Sequence, residues 1–123
     1  MIKLTTAEEK LAEIIWEKEK IPSPTLVELS FSEMGWKKST TYTVLKKLCH
    51  KGVCKNEHAI VEVLLSKEDL KTQQSRSYVK DSFGGSLPRF VSAFIGGGKI
   101  SAEEAEELKG LIDSFSKGGE IRG

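Results

Sequence analysis

The hydrophobic period of this chain changes at Gly52. Before it, Thr41, Val44, Leu45 and Leu48 follow the i, i+3, i+4, i+7 spacing that buries one face of a helix, predicted over Lys38–Lys51. Gly52 then stands at the left-handed cap position that ends many helices. After it, VCKNEHAIVEVLL reads as two strands, Val53–Lys55 and about Ala59–Leu65, joined near Asn56-Glu57-His58. A chain that passes directly from such a helix into a ribbon has few folds open to it.

The upstream residues narrow the choice. Thr5 with Glu8, and Thr6 with Glu9, both have capping-box spacing, and Ala7, Leu11, Ile14 and Ile15 recur at helical intervals. Ile21-Pro22-Ser23-Pro24 stops that helix. Ser23 can cap the next one with Pro24 at its first position, and Leu26, Val27, Leu29 and Phe31 make it a short helix ending in a Met34-Gly35 turn. Three short helices followed by a two-stranded ribbon is the element order of a winged helix-turn-helix.

Beyond Leu65 the pattern is different. SKEDLKTQQSRSYVKDSF is a polar helix with Ser66 and Asp69 at capping spacing. Gly and Pro confine the apolar residues of Leu87–Ile95 to a short turn. A last helix opens with Ser101 and Glu104 and carries Ala105, Leu108, Leu111, Ile112 and Phe115 on one face. So short a segment does not readily form its own core. Pairing with a second copy would bury Phe90, Phe94, Leu108, Leu111, Ile112 and Phe115 in a symmetric interface; the alternative is folding back on the first 65 residues. The expected fold is mainly α with a small β-hairpin. It comprises a winged helix-turn-helix domain over 1–66, a helical dimerisation region over 67–117 and a flexible tail over 118–123.

Composition excludes several classes. With 123 residues and 38% apolar content the chain can bury a core without disulfides. Cys49 and Cys54 are expected to be reduced thiols. No run approaches the ~20 apolar residues of a membrane span, and MIKLTTAEEK places acids ahead of any apolar signal region, so no membrane insertion and a cytoplasmic location are expected. Net charge is only +1, but it is unevenly distributed. From Glu33 to Lys55, six lysines (37, 38, 46, 47, 51, 55) face one acid, Glu33, a local +5. From Ser101 to Asp113, five acids face Lys109, a local −4.

The basic segment contains the helix whose outer side is unusual. Ser39, Thr40 and Thr43 offer compact donors, acceptors and a methyl group of the kind that reads base edges. Lys37 and Lys38 at the helix start, and Lys46 and Lys47 beyond the hydroxyls, are placed to hold phosphates, with Tyr42 available to stack or hydrogen-bond to the backbone. An ordinary solvated, lysine-rich face is the plain alternative. Cys49, His50, Cys54 and His58 hold every cysteine and histidine of the chain, yet their spacing matches no common zinc finger, so no metal and no cofactor is expected. Phosphate loops, paired pocket carboxylates and nucleophile–base sets are missing, which points away from an enzyme.

Three stretches carry a family resemblance. LTTAEEKLAEIIWEK (Leu4–Lys18) resembles the L-T-x-A-E…I-W first-helix signature of the penicillinase/methicillinase repressor family (BlaI/MecI), which also includes the CopY-type copper repressors. WKKSTTYTVLKKLCHKG (Trp36–Gly52) is similar to its W-K-x-[ST]-T-x-x-T-L-L-x-R-L-x-K-K-G recognition helix, and ISAEEAEELKGLI (Ile100–Ile112) to its L-S-x-x-E-x-x-E-L-x-x-L-I tail. The resemblance spans about residues 4–115. It implies a homodimeric transcriptional repressor that binds a palindromic double-stranded DNA operator, in this family often with TACA/TGTA half-sites. Ser39, Thr40, Thr43 and Lys47 fall where that helix meets DNA, with Lys47 in place of the usual arginine.

Three departures are visible. NEHAIVEVLL lacks the Gly-Arg and aromatic wing tip common in the family, and the copper repressors' C-terminal cysteine cluster is missing. In several antibiotic-responsive members a membrane sensor-protease system leads to cleavage of an Asn-Phe bond. The matching positions here are Ala93-Phe94. Two other readings stand beside the repressor: a winged-helix module gripping an acidic protein partner, and a metal-responsive regulator using the cysteines and histidines.

Overall fold

Thr5 decides where the first helix begins. Its hydroxyl accepts from the Glu8 backbone N–H at 3.2 Å, and the Glu8 carboxylate accepts from the Thr5 N–H at 2.8 Å. In a computed structural model, which describes residues 2–122 and the side chains of residues 2–116, helix α1 accordingly spans Thr6–Lys18. Leu11, Ala12, Ile14 and Ile15 line its buried face. The helix ends at Glu19, whose positive φ of 64° turns the chain back while its N–H bonds to the Ile15 carbonyl.

That reversal launches a strand, β1 (Lys20–Pro22), where the sequence suggested only a helix stop. Ile21 is buried, and Lys20 and Pro22 face Glu62 and Ile60 across an antiparallel pairing. Pro22 is tolerated because β1 is an edge strand. The expected Ser23 cap also needs correction. Helix α2 (Ser23–Met34) takes Pro22 as its N-cap, with Ser23 as its first residue and no side-chain capping bond. Ser23 is buried instead, its N–H held by the Ala59 carbonyl at 2.8 Å and its Oγ accepting from the Tyr42 hydroxyl at 3.2 Å.

Helix α3 runs Lys38–His50, one residue shorter than expected, and Gly52 adopts the left-handed conformation at φ 82°. The ribbon is shifted from its predicted bounds: β2 is Cys54–Glu57 and β3 is Ile60–Val63. The sheet order is β1-β3-β2. Val53 is excluded from β2 because the end of α3 claims it, its N–H bonding to the Leu48 carbonyl and its own carbonyl accepting from Leu64 and Leu65. The connection is a two-residue turn, His58-Ala59, both at positive φ.

Leu11, Ile15, Leu26, Leu45, Leu48, Val53 and Val61 are fully buried where α1, α2 and α3 meet the sheet. One polar pair sits among them: Ser30 Oγ and Thr41 Oγ1 lie 2.9 Å apart, joining α2 to α3. Thr41→Val should cost about 1–3 kcal/mol by leaving the Ser30 hydroxyl unpaired. Adding Ser30→Ala should recover most of that loss in urea unfolding; a double variant as unstable as the single would contradict it.

The C-terminal helices start against this core and then leave it. Ser66 caps α4 (Lys67–Phe83) by accepting from the Asp69 N–H. The start of α4 is docked by buried Leu70, by a Gln74 side-chain bond to the Ile2 carbonyl and by a 2.7 Å ion pair between Lys67 and Glu13. Trp16 Nε1 donates to the Leu65 carbonyl at the same junction. Helix α5 (Leu87–Ile95) is a complete helix capped by Ser86, not the short apolar turn expected there, because the glycines flank it and Pro88 sits in its first turn, where no intrahelical N–H bond is lost. Helix α6 spans Ala102–Arg122, with Ser101 accepting from the Glu104 N–H. The flexible tail expected at 118–123 falls outside the residues whose side chains are described. Among the described residues no helix is long and apolar enough to cross a membrane.

Candidate nucleic-acid interface

Helix α3 sorts its residues by the same period that the sequence shows. Thr41, Val44, Leu45 and Leu48 are buried, while Ser39, Thr40, Thr43, Lys46 and Lys47 are exposed on the opposite side. The outer stripe is slim along its first two turns. Thr43 Oγ1 donates to the Ser39 carbonyl at 2.9 Å, which leaves its acceptor capacity and its methyl group facing out. At the helix start, Lys37 is the N-cap residue and makes no side-chain capping bond. The amino end of α3 therefore presents backbone donors beside exposed Lys37 and Lys38, a combination that suits phosphate oxygens.

Not every lysine of the basic segment belongs to this surface. Lys51 pairs with Glu8 and also donates to the Lys3 carbonyl, while Lys55 lies 3.2 Å from Glu57 and 3.9 Å from Glu62. Among the described residues, Lys37, Lys38, Lys46 and Lys47 make no ion pair, so the usable positive charge is concentrated on the outer face of α3. Burial by itself would raise the pKa of Glu8. Hydrogen bonds from Lys51 and the Thr5 N–H, the Lys51 charge and the Thr5 side chain outweigh it and hold the carboxyl below its ordinary value of 4.5. A carboxylate lowered on folding contributes stability above its unfolded pKa and loses it as pH falls through the folded one. Glu8→Gln should therefore cost about 1–3 kcal/mol at neutral pH. Unfolding titrations should show the two proteins converging below the carboxylate range, and a gap unchanged by acid would count against the pair.

Tyr42 stands at the edge of the stripe, half-buried, with its hydroxyl committed to Ser23. It packs α3 against the start of α2, so its link to any ligand is through positioning. His50, which the sequence groups with Cys49, Cys54 and His58, lies on this surface. Exposed in the last turn of α3, it continues the 39–43–46/47 stripe, and with Thr43, Lys46, Lys47, Lys51 and Glu8 it lines a groove of about 580 Å³. Its place among cysteines and histidines drew attention to metal chemistry instead. The structure does bring Cys49 and Cys54 together, at 3.7 Å between sulfurs, and places His58 apart from them on the exposed hairpin turn. Among the described residues no group of three or more potential metal ligands converges.

A family model described as "Penicillinase repressor" matches residues 4–114. The chain belongs to the penicillinase repressor family. Its relatives include the methicillin resistance regulatory protein MecI of Mammaliicoccus sciuri, of Staphylococcus aureus and of Staphylococcus epidermidis. Each is 24% identical over 114 residues, covering 89% of this chain and 93% of the relative. The family is one of transcriptional repressors, not of enzymes.

In this penicillinase repressor-family chain, α5 and α6 carry a second surface. Phe90 is half-buried against Tyr78 and Phe83, with ring centroids 6.0 and 5.5 Å away, and Phe94 extends the cluster at 6.0 Å. Phe94 nevertheless remains 79% exposed, and Leu111, Ile112 and Phe115 are 52%, 61% and 69% exposed. Leu108 and Leu111 join Phe90, Phe94 and Ile95 around a groove of about 310 Å³ between α5 and α6. Among the described residues, Phe94, Leu111, Ile112 and Phe115 stay exposed within one chain and do not pack on the first 65 residues. Ala93 and Phe94, the candidate cleavage position, lie exposed in the last turns of α5 just before Gly96-Gly97-Gly98.

Proposed function

We propose that this repressor acts as a homodimer that inserts α3 of each protomer into the major groove of a palindromic operator. The observation that carries the reading is the division of α3: one side is core, and the other is a stripe of small hydroxyls flanked by Lys37, Lys38, Lys46 and Lys47, which make no ion pair among the described residues. Lysines and the amino end of the helix supply phosphate contacts, while Ser39, Thr40 and Thr43 supply contacts to base edges. The exposed apolar side of α5 and α6 supports the dimer, since a contiguous patch of that kind marks an interaction site. Two copies related by a twofold axis would set the recognition helices about one DNA turn apart, roughly 34 Å, or a multiple of it.

The wing contributes little charge to this contact. Lys55 is bracketed by Glu57 and Glu62, and the tip is His58-Ala59. Sequence preference is therefore assigned to α3 alone. Cleavage at Ala93-Phe94 would sever α6 from the DNA-binding half, which is the physical basis for a sensor-protease route of derepression. The test is selection from random duplexes followed by titration at several salt concentrations. An enriched palindrome with steep salt dependence is expected. No enriched sequence, together with capture of acidic polypeptides, would overturn the DNA reading in favour of a protein-binding winged helix.

A further inference from the structure

Cys49 and Cys54 occupy the joint between the recognition helix and the ribbon. Cys49 is half-buried in the last turn of α3, and Cys54 is 1% exposed as the first residue of β2. Their sulfurs are 3.7 Å apart. The turn between them is held by a Gly52 N–H bond to the Cys49 carbonyl and a Val53 N–H bond to the Leu48 carbonyl. Nothing in the family reading uses this pair, since the site of DNA contact is on the other side of the helix.

We infer that Cys49 and Cys54 form a reversible intramolecular disulfide that weakens DNA binding when the protein is oxidised. The effect on DNA rests on the operator-binding reading above; the formation of the bond does not. The co-reactant is a low-molecular-weight disulfide such as oxidised glutathione. Cys49, the accessible partner, loses its proton and attacks one sulfur of that disulfide, forming a mixed disulfide and releasing one thiolate. Cys54 then loses its proton and attacks Cys49 Sγ, expelling the second glutathione thiolate. The two protein thiols give up two electrons and two protons, and one glutathione disulfide becomes two thiols. Burial pushes the Cys54 thiol pKa up, followed by the effect of the adjacent Cys49, so the second step is the slow one and Cys54 is the resolving residue.

Closing the bond changes the joint because a disulfide needs its sulfurs at about 2.05 Å, roughly 1.7 Å closer than they stand. Cys54 is the fixed end: it lies in the core and opposite Val63 in the sheet. The displacement therefore falls on Cys49 and the last turn of α3, which carries Lys47 and His50. Drawing that turn toward the ribbon pulls its cations away from the phosphates.

The experiment uses the full-length protein with oxidised glutathione. Both thiols should become unreactive to a thiol reagent under native conditions, and the chain should lose the mass of two hydrogens without gaining a glutathione. Peptide mapping should join Cys49 to Cys54 within one chain. Affinity for the selected duplex should fall by about tenfold, the scale of one or two lost contacts, and dithiothreitol should restore it. Cys49→Ser, at the half-exposed position, should bind DNA like the reduced protein and ignore the oxidant. A persistent glutathione adduct, an interchain disulfide or unreacted thiols would overturn the proposal, as would a native bond that leaves affinity unchanged. If the reduced protein binds no duplex while the thiols still pair, the operator reading fails and the disulfide chemistry stands.

Discussion

Glutamate at both Leu111 and Phe115 should leave the winged helix folded and lower affinity for a palindromic duplex by about a hundredfold or more. Neither side chain supports the core of its own chain: they are 52% and 69% exposed along α6. A pair of like charges at that position instead enters the surface that two copies would bury, where unpaired carboxylates are costly. Binding by a dimer links two half-sites, so the second helix docks from an effective concentration far above that of free protein. A monomer forfeits that gain while keeping its contacts to one half-site. Sedimentation should show the variant as a monomer at concentrations where the parent is a dimer. Its affinity for a single half-site should match the parent's. A variant that remains dimeric, or a monomer that binds the palindrome undiminished, would remove α6 from the interface.

The features legible in the sequence are those fixed by neighbours a few residues away. The Thr5–Glu8 box, the Ser66 and Ser101 caps, the inward set of Thr41, Val44, Leu45 and Leu48, and the Gly52 stop all depend on spacing within one or two turns. What the sequence concealed depends on distant partners. Strand β1 is three residues long and exists because Ile21 pairs with Val61, forty positions later. Ser23 looks like a cap until Tyr42 and Ala59 reach it from elsewhere in the fold. The count of lysines overstated the positive surface for the same reason: Glu8 lies far from Lys51 in sequence and next to it in space. Of the two helices α5 and α6, only the apolar face of α6 was readable as periodicity. That it stays uncovered in a single chain was not, because only the folded chain shows that α4 carries these helices away from the core.

Lys46→Ala with Lys47→Ala should flatten the salt dependence of binding more than it changes which duplex is preferred. Counterion release gives a slope of about −0.9 in log K against log salt for each phosphate neutralised. A dimer losing two such contacts per protomer should therefore lose roughly 3–4 from its slope, and its affinity should fall steeply at moderate salt. Both lysines are exposed toward the end of α3 and, among the described residues, make no ion pair, so the fold has no stake in their charge. Lys51→Ala is the informative control. Its ammonium belongs to Glu8, so it should lower stability and leave the slope nearly unchanged. Thr43→Val should do the reverse of the double variant, altering the preferred bases at constant slope, because the contact proposed for its exposed methyl and acceptor is with bases and not phosphates. Lys47→Arg adds a two-pronged donor at the same position and should recover the slope lost on removing that lysine. Equal slopes for the parent and the double variant would mean that α3 holds DNA by some other side, and the assignment of its outer stripe would fall with it.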